Sequence, residues 1–400
     1  MNYNIEWLFE EVYKIKKDIH RSDPYFISDW DVTGEQEITF SEILKDVFSR
    51  AGQHSFKYNY AYEQFDLKEQ IIAHSLRKNL IVKESELTIT PSATISLYLV
   101  AHALQQLEIR RILVITPAYF STHEALHKAK VEVCYYHMRD EQNLKIDYTQ
   151  IEQVIKEQFI DGIILTDPVY SAGVEFSLED YNRLSSICNE YNLYFVVDYS
   201  LGGLLWEGSS SYILNNEKIS VLKTCPKYVF IDTLSKRLLL NGVKFSIIVA
   251  DENVIDKIDL ISETVYGGLS ALQCFLIREL YNSDNEKIIS SLCERNIKNT
   301  IECYSLIKSA LIGTKFSVAD TNSGYFSLVN HNNYNLEEID TKQFSLAILK
   351  EANILCLTKD RFTYFGENKF GFRINLNKSR ELLFPLRQCI GIDYSRFEKR

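Results

Sequence analysis

Short apolar runs alternate with segments of helical periodicity between about residues 65 and 250 of this chain. Short apolar runs bounded by turn residues predict buried strands, and apolar residues at helical spacing predict amphipathic helices. The predicted strands are Leu87–Thr90, Ile112–Ile115, Val131–Tyr136, Gly162–Leu165, Tyr194–Val197, Tyr228–Ile231 and Phe245–Val249. The predicted helices are Ser92–Gln105, Phe120–Lys130, Thr149–Gln158 and Leu178–Glu190. This alternation predicts a large, doubly wound α/β domain with a largely parallel sheet.

The pattern changes after residue 250. Long helical segments over about residues 253–311 are followed by the short predicted strands Tyr325–Val329, Ile354–Leu357 and Gly371–Leu376. This mixture predicts a smaller α+β domain. The first 45 residues have the pattern of an arm plus a helix, and we expect them to join the small domain. We therefore predict a large domain over residues 46–285 and a discontinuous small domain over residues 1–45 and 286–400.

Composition restricts the classes of ligand. Hydrophobic residues make up 46% of the 400 residues, enough to bury a sizeable core. The 44 Lys and Arg against 54 Asp and Glu give a net charge of −10, which argues against a nucleic-acid partner held by bulk positive charge. With 15 Gly and 6 Pro, glycine-rich phosphate loops are not expected. An anionic ligand therefore has to be held by particular cations and hydroxyls.

Cysteine spacing and hydropathy indicate the compartment. The eight cysteines are scattered without a CxxC pair, which indicates reduced thiols and not a disulfide framework or a zinc ribbon. The N-terminal residues lack the apolar core of a signal peptide, and no run reaches the roughly 20 apolar residues of a membrane span. We expect a soluble cytoplasmic protein with no membrane partner.

Residues that follow the predicted strands are the candidates for chemistry, because ligands of open α/β sheets bind beyond the carboxyl ends of the strands. Ser92-Ala93-Thr94 opens a helix, where free N–H groups and the helix dipole favour a phosphate. Taken alone, Ser92 is more simply explained as an ordinary helix N-cap with nothing bound. Tyr119 follows a strand, where its ring either stacks on a planar ligand or packs at the rim.

Two charged residues end apolar strands. Asp198 would be partly desolvated there and needs a positive partner, such as a protonated ring nitrogen, unless it caps the following turn. Lys236 lies in Thr233-Leu234-Ser235-Lys236, where a desolvated amine can form a Schiff base with an aldehyde, although a lone lysine is usually a solvated side chain. Lys244 and Thr233 offer a cation and a hydroxyl suited to a phosphate.

Together these residues match one cofactor, a pyridine that carries an aldehyde, a phosphate and a ring nitrogen. Over about residues 50–376 the chain resembles the fold-type-I pyridoxal-phosphate enzymes, specifically the class I/II aminotransferases. The most specific part is Thr233-Leu234-Ser235-Lys236 with Gly242 and Lys244, which resembles the family motif S-x-S-K-x(5)-G-x-R. The resemblance implies an α/β, aspartate-aminotransferase-like fold with a mostly parallel seven-stranded sheet in the large domain and a smaller α+β domain.

The resemblance also implies roles for particular residues. Lys236 would carry the Schiff base and shuttle the proton, Asp198 would pair with the pyridinium nitrogen, and Tyr119 would stack on the ring. Arg373, in Gly371-Phe372-Arg373-Ile374, would bind the substrate α-carboxylate. Tyr58 would reach the phosphate of the neighbouring subunit, which implies a homodimer. The implied phosphate ligands are Ser92, Ala93, Thr94, Thr233, Ser235 and Lys244, the last at a position where Arg is usual.

Two positions depart from the family pattern. The family's Asn and Tyr that donate to the pyridoxal 3′ oxygen correspond to Tyr170 and Leu201. The leading prediction is an aminotransferase that exchanges an amino acid and a keto acid. The alternative keeps the cofactor and site but uses them as a lyase-type or related biosynthetic enzyme, for elimination, cyclisation, decarboxylation or oxidation of an amino acid.

A competing motif is His123-Glu124-Ala125-Leu126-His127, in which two histidines at i and i+4 can chelate zinc with Glu as the base. Its context argues against a zinc site, because a predicted strand follows and no third ligand helix is evident. We therefore predict no metal, and keep a zinc hydrolase as a minor alternative. A non-catalytic ligand-binding protein with the same fold is the other reading left open.

Overall fold

The computed structural model describes residues 6–19, 23–31, 38–54, 58, 60, 65–77, 79–139, 144–207, 215–364 and 368–399. The N-terminal elements are helix α1 (Glu6–Ile19), strand β1 (Tyr25–Phe26) and helices α2 (Ile38–Gln53) and α3 (Phe65–Arg77). Strand β1 pairs in parallel with β11 (Ile354–Leu355), so the arm is attached to the C-terminal part of the chain. No helix in these ranges is long and apolar enough to span a bilayer.

The centre of the structure is a seven-stranded sheet with the order β2-β8-β7-β6-β5-β3-β4. Its strands are β2 (Leu87–Thr90), β3 (Arg111–Thr116), β4 (Glu132–His137), β5 (Gly162–Thr166), β6 (Tyr194–Asp198), β7 (Tyr228–Asp232) and β8 (Ser246–Ala250). Strand β8 runs antiparallel to both neighbours, and the other pairs are parallel. All seven predicted strands are confirmed to within one residue at each end.

Helices cover both faces of this sheet. They are α4 (Ala93–Gln106), α5 (Phe120–Lys128), α6 (Tyr148–Gln158), α7 (Leu178–Glu190), α8 (Asn216–Leu222), α9 (Leu234–Arg237), α10 (Glu252–Val265) and α11 (Ala271–Leu280). Side chains alternate between the two faces along each strand, so Val114 packs in one apolar cluster and its neighbours Leu113 and Ile115 pack in the other. This two-sided burial explains why the strands read as continuous apolar runs.

The C-terminal part begins with the long helix α12 (Glu286–Ala310). A three-stranded antiparallel sheet of β9 (Phe316–Val318), β10 (Phe326–Asn335) and β12 (Lys369–Asn375) follows, with helices α13 (Thr341–Ala352) and α14 (Leu383–Ile390). Short 3-10 turns are formed by Glu84–Glu86, Ser283–Asn285, Leu336–Glu338, Lys359–Phe362, Leu376–Leu382 and Tyr394–Phe397. The domain division at residues 45/46 and 285/286 stays a prediction; the first of these boundaries falls inside α2.

Candidate active site

A cavity of about 310 Å³ opens at the carboxyl ends of β5, β6 and β7, the edge at which the sequence places the candidate residues. Its size lies within the range of small-molecule sites. Of the residues predicted for the site, all but Tyr58 and Arg373 line it. The lining residues are Trp30, Asp31, Ser92, Ala93, Thr94, Tyr119, Thr166, Tyr170, Asp198, Ser200, Leu201, Thr233, Ser235, Lys236, Asn241, Gly242, Lys244 and Phe245.

Lys236 projects from the short helix α9, which begins directly after β7. Its Nζ donates a hydrogen bond to Asn241 Oδ1 at 3.0 Å and lies 3.9 Å from the centre of the Trp30 ring. Burial, together with repulsion by Lys244 and Arg373, lowers the pKa of Lys236 to about 8. A substantial fraction of this amine is therefore neutral near physiological pH, as a nucleophile or a base requires.

Asp198 is the last residue of β6 and is 3% exposed. Its Oδ1 accepts hydrogen bonds from the backbone N of Ser200 at 3.1 Å and from the Ser200 hydroxyl. Burial raises the pKa of Asp198 above its ordinary value. Within the described part of the chain, no Lys, Arg or His forms an ion pair with this carboxylate. A protonated ring nitrogen in the cavity would supply the positive partner that a buried carboxylate needs.

Hydroxyls and one cation surround the start of α4. The side chain of Ser92 caps this 14-residue helix, and the exposed Thr94 lies in its first turn, so free N–H groups and the helix dipole face the cavity. Thr233 and Ser235 place their hydroxyl oxygens 2.8 Å apart, and Lys244 is exposed beside them. The set of hydroxyls, N–H groups and an ammonium is suited to a phosphate.

Arg373 lies beside the cavity and is 2% exposed. Its Nε donates to the carbonyl of Ser28 at 3.1 Å, as does Nη2, and its Nη1 donates to the Tyr170 hydroxyl at 3.1 Å. The rings of Phe326 and Phe362 flank the guanidinium at 4.2 and 4.6 Å. No carboxylate among the residues with described positions forms an ion pair with Arg373.

The two tyrosines next to the cavity form one aromatic wall. Tyr119 is half-buried, and its ring centre lies 5.2 Å from that of the fully buried Tyr170. Burial raises the pKa of Tyr170 well above its ordinary range, so its hydroxyl is protonated. In this wall, Tyr170 connects the cavity to Arg373 by a hydrogen bond.

Tyr58 does not reach this cavity within the chain. Its side chain is 67% exposed and lines a separate surface depression with His54, Tyr266 and Leu269. The chain itself therefore brings together the other eleven predicted residues, ten in the cavity wall and Arg373 behind it, and leaves Tyr58 apart.

Several residues that line the cavity were not predicted from the sequence. Among them are Trp30, Asp31, Thr166, Ser200 and Asn241. Ser200 could have been found, since it follows Asp198 by two residues and Ser commonly bonds to an Asp at that spacing. Trp30 and Asp31 carry no such signal, because they belong to the N-terminal arm and reach the site through its pairing with the C-terminal strands.

The H-E-x-x-H segment lies on α5, away from the cavity wall. The Nδ1 of His123 is hydrogen-bonded to the Tyr135 hydroxyl, and burial lowers the pKa of His123. No group of three His, Cys, Asp or Glu side chains suited to a metal ion is found among the residues that the structure describes. The zinc-hydrolase alternative gains no support from this arrangement.

Comparison with known proteins connects this site to one family. The model of the family "Aminotransferase class I and II" matches residues 31–387. An aspartate aminotransferase of Sulfolobus acidocaldarius is 22% identical over 366 residues, which cover 87% of this chain and 86% of that protein.

Solved structures agree at the level of the fold. An aspartate aminotransferase from Rhizobium meliloti has a TM-score of 0.80 at 13% identity and covers 99% of this chain and 96% of its own. A double mutant of the Thermus thermophilus aspartate aminotransferase has a TM-score of 0.81 at 16% identity, with 97% and 96% covered. The chain belongs to the class I and II aminotransferase family, and it is a pyridoxal-phosphate-dependent aminotransferase with an aspartate-aminotransferase-like fold.

Proposed function

We propose that this enzyme transfers the amino group of an α-amino acid to a keto acid, with pyridoxal phosphate attached to Lys236. One observation carries the proposal. Three charged groups in or beside the cavity, Lys236, Asp198 and Arg373, are bonded only to neutral groups among the described residues. Burying a charge without an opposite partner is costly, so such groups are expected where a charged ligand completes the site.

The residues fit pyridoxal phosphate at each of its functional groups. Lys236 would hold the aldehyde carbon covalently, and Asp198 would keep a proton on the ring nitrogen. The start of α4, with Thr233, Ser235 and Lys244, would bind the phosphate. The ring face would lie against Tyr119. When bound, the pyridine ring withdraws electrons from the Cα of the amino acid.

Two residues of the chain act on the substrate. Arg373 binds its α-carboxylate, a task suited to a planar guanidinium with paired N–H groups. The neutral amine of Lys236, favoured by its pKa of about 8, accepts the proton from the substrate Cα and later returns it. The cavity wall of Trp30, Tyr119 and Leu201 limits the access of water to this proton transfer.

Tyr170 replaces one of the family's donors to the 3′ oxygen. Its hydroxyl accepts a hydrogen bond from Arg373, so its own proton is left for an acceptor in the cavity. We infer that Tyr170 donates to the 3′ oxygen. Leu201 lines the cavity at the position of the second family donor and offers none. This loss favours the second candidate function, a non-transamination reaction of an amino acid with the same cofactor in biosynthesis.

The remaining parts of the proposal concern assembly and compartment. We propose a homodimer in which Tyr58 completes the phosphate site of the neighbouring subunit. Its 67% exposure and its position outside this chain's own cavity support that role. We also propose a cytoplasmic location, in keeping with eight cysteines that are free of disulfides.

Borohydride reduction tests the attachment residue. The cofactor-loaded enzyme is reduced, digested and analysed by mass spectrometry, and the pyridoxyl mass is expected on the peptide that contains Lys236. Lys236→Ala should lose both this mass and the near-visible absorbance band. Lys227→Ala is the matched control, because Lys227 stands at the other end of β7 and donates to the Asn192 carbonyl. A label on another lysine would refute the assignment.

Product analysis separates the two candidate reactions. The loaded enzyme is mixed with a panel of amino acids in the absence of a keto acid. Transamination releases a keto acid and converts the cofactor to its amine form. Ammonia or carbon dioxide without that conversion would instead establish the second candidate.

A further inference from the structure

Trp30 stands between the cavity and Arg373. The indole lines the cavity, whereas Arg373 is 2% exposed and is absent from the lining among the described residues. The Cζ of Arg373 lies 5.2 Å from the centre of the Trp30 ring, and the Nζ of Lys236 lies 3.9 Å from the same centre. One aromatic ring therefore contacts both Lys236 and Arg373.

Arg373 retains the capacity to bind a carboxylate. A guanidinium has five N–H groups, and three of those on Arg373 are used by Ser28 and Tyr170. One N–H on each terminal nitrogen is left, enough for the two oxygens of one carboxylate. Because Trp30 lines the cavity and Arg373 does not in the described structure, a ligand in the cavity meets the indole before it meets these groups.

The backbone on both sides of Trp30 is fixed. Asn375 Nδ2 donates to the carbonyls of Asp29 and Asp31 at 3.2 and 2.7 Å, and Asn241 Nδ2 donates to the carbonyl of Trp30 at 2.6 Å. Lys378 adds an ion pair to Asp29 at 3.0 Å. Displacement of the indole is therefore a rotation of the side chain into another rotamer, and the arm itself stays in place.

We propose that Trp30 controls access of the substrate carboxylate to Arg373, by covering the guanidinium with its indole and rotating away when a carboxylate binds. This inference rests on the proposed role of Arg373 as the carboxylate ligand. When a carboxylate binds, the Trp30 ring loses its cation–π contact with Arg373, and charge-assisted hydrogen bonds between the carboxylate and Arg373 replace that contact. Trp30 is thus a positioning residue that acts on the substrate carboxylate through Arg373.

Intrinsic fluorescence reports on this rotation. The chain has three tryptophans, and Trp7→Phe with Trp206→Phe leaves Trp30 as the sole emitter. The cofactor-loaded double variant is titrated with propionate, and with propionamide as the neutral probe of the same shape. We expect a saturable emission change and easier quenching by acrylamide with propionate, and neither with propionamide.

Affinity provides the second measurement. Because the indole competes with the carboxylate, Trp30→Ala should bind propionate about tenfold more tightly, as expected when a competing cation–π contact is removed. Trp30→Phe, which keeps an aromatic ring and the fold, should lie between Trp30→Ala and the native enzyme. Trp206→Phe is the control, since Trp206 lies outside the cavity lining and donates to the Gly324 carbonyl. The affinity of this variant for propionate should equal that of the native enzyme.

The outcomes separate this inference from the proposed function. If Arg373→Lys binds propionate as tightly as the native enzyme does, the proposed role of Arg373 is overturned. If Arg373→Lys loses binding, the role of Arg373 stands. In that case, the role of Trp30 alone is overturned if two results occur together. Propionate leaves the Trp30 fluorescence emission unchanged, and Trp30→Ala binds propionate no more tightly than the native enzyme.

Discussion

We predict that Lys218→Met destabilises this enzyme strongly, because Lys218 is the cation between two buried carboxylates behind the cavity. Its Nζ lies 2.6 Å from Asp167 Oδ2 and 2.9 Å from Glu175 Oε1. These carboxylates flank the segment that carries Tyr170, and the backbone N of Asp167 donates to the Asp198 carbonyl at 2.9 Å. The ion network therefore supports two residues of the proposed active site.

The size of the effect follows from burial. The side chains of Lys218, Asp167 and Glu175 are 6%, 0% and 5% exposed, so methionine leaves two negative charges without water or a cation. Removing one partner of a buried ion pair costs about 3–5 kcal/mol. Lys83→Met is the matched control, because its partner Glu252 is 3.2 Å away and both side chains are more than half exposed. That exposed pair contributes at most about 1 kcal/mol.

The loss should depend on pH. Burial, opposed by Lys218 and reinforced by Glu175, raises the pKa of Asp167 to about 6, and the pKa rises further once Lys218 is removed. A carboxyl whose pKa is raised on folding takes up a proton more readily in the folded state, so its unfavourable contribution disappears as the pH falls. The difference between variant and native enzyme should therefore be largest near pH ~8 and smaller near pH ~5.5.

Urea unfolding followed by circular dichroism, with saturating cofactor at both pH values, measures this difference. A difference below about 1 kcal/mol at the higher pH, no larger than that of an exposed pair, would show that Lys218 is not needed to neutralise the network. An equal difference at both pH values would refute the charge argument, since loss of packing alone does not titrate.

Two further predictions concern the cavity. Burial and, second to it, repulsion by the charge of Lys244 lower the pKa of Lys236 to about 8. Lys244→Gln removes that charge, so the pKa of Lys236 should rise. The pH midpoint for cofactor incorporation into the cofactor-free enzyme should then move upward. An unchanged midpoint in the absorbance time courses would contradict this coupling. Asp198→Asn keeps the shape of the side chain and removes the charge of a carboxyl whose pKa is raised by burial. We therefore expect no loss of unfolding free energy, but a fall in kcat of at least about a hundredfold. Native turnover in steady-state assays would refute its electrostatic role.

The strands were predictable because burial on both faces of the sheet requires an uninterrupted run of apolar residues, which is visible in the sequence. Strand β6 reads Tyr-Phe-Val-Val before Asp198, and the apolar run marks both the strand and the point where it ends. The direction of β8 was not predictable, since Ser246–Ala250 is as fully buried as the mutually parallel strands β5, β6 and β7, and its apolar run carries no sign of direction. Direction is fixed by pairing with distant strands, which the run itself does not record.

The site was predictable where sequence position fixes spatial position. Parallel strands end at one edge of the sheet, so Asp198 and Lys236 could be placed together from the sequence alone. Trp30 could not, because its approach depends on an arm that crosses to a strand more than three hundred residues later. The separation of Arg373 from the cavity depends on side-chain rotamers, which the motif Gly371-Phe372-Arg373-Ile374 does not determine.

Charge pairing distinguishes the scaffold from the site more clearly than burial does. Arg237 is fully buried and forms a two-pronged ion pair with Asp232, as Lys218 does with its two carboxylates. In the described structure, Asp198 and Arg373 are equally buried but have only neutral partners. Because an uncompensated buried charge lowers stability, such a charge points to a ligand that supplies the opposite charge. In the proposed function, a protonated pyridine supplies the cation for Asp198, and the carboxylate of the amino acid supplies the anion for Arg373.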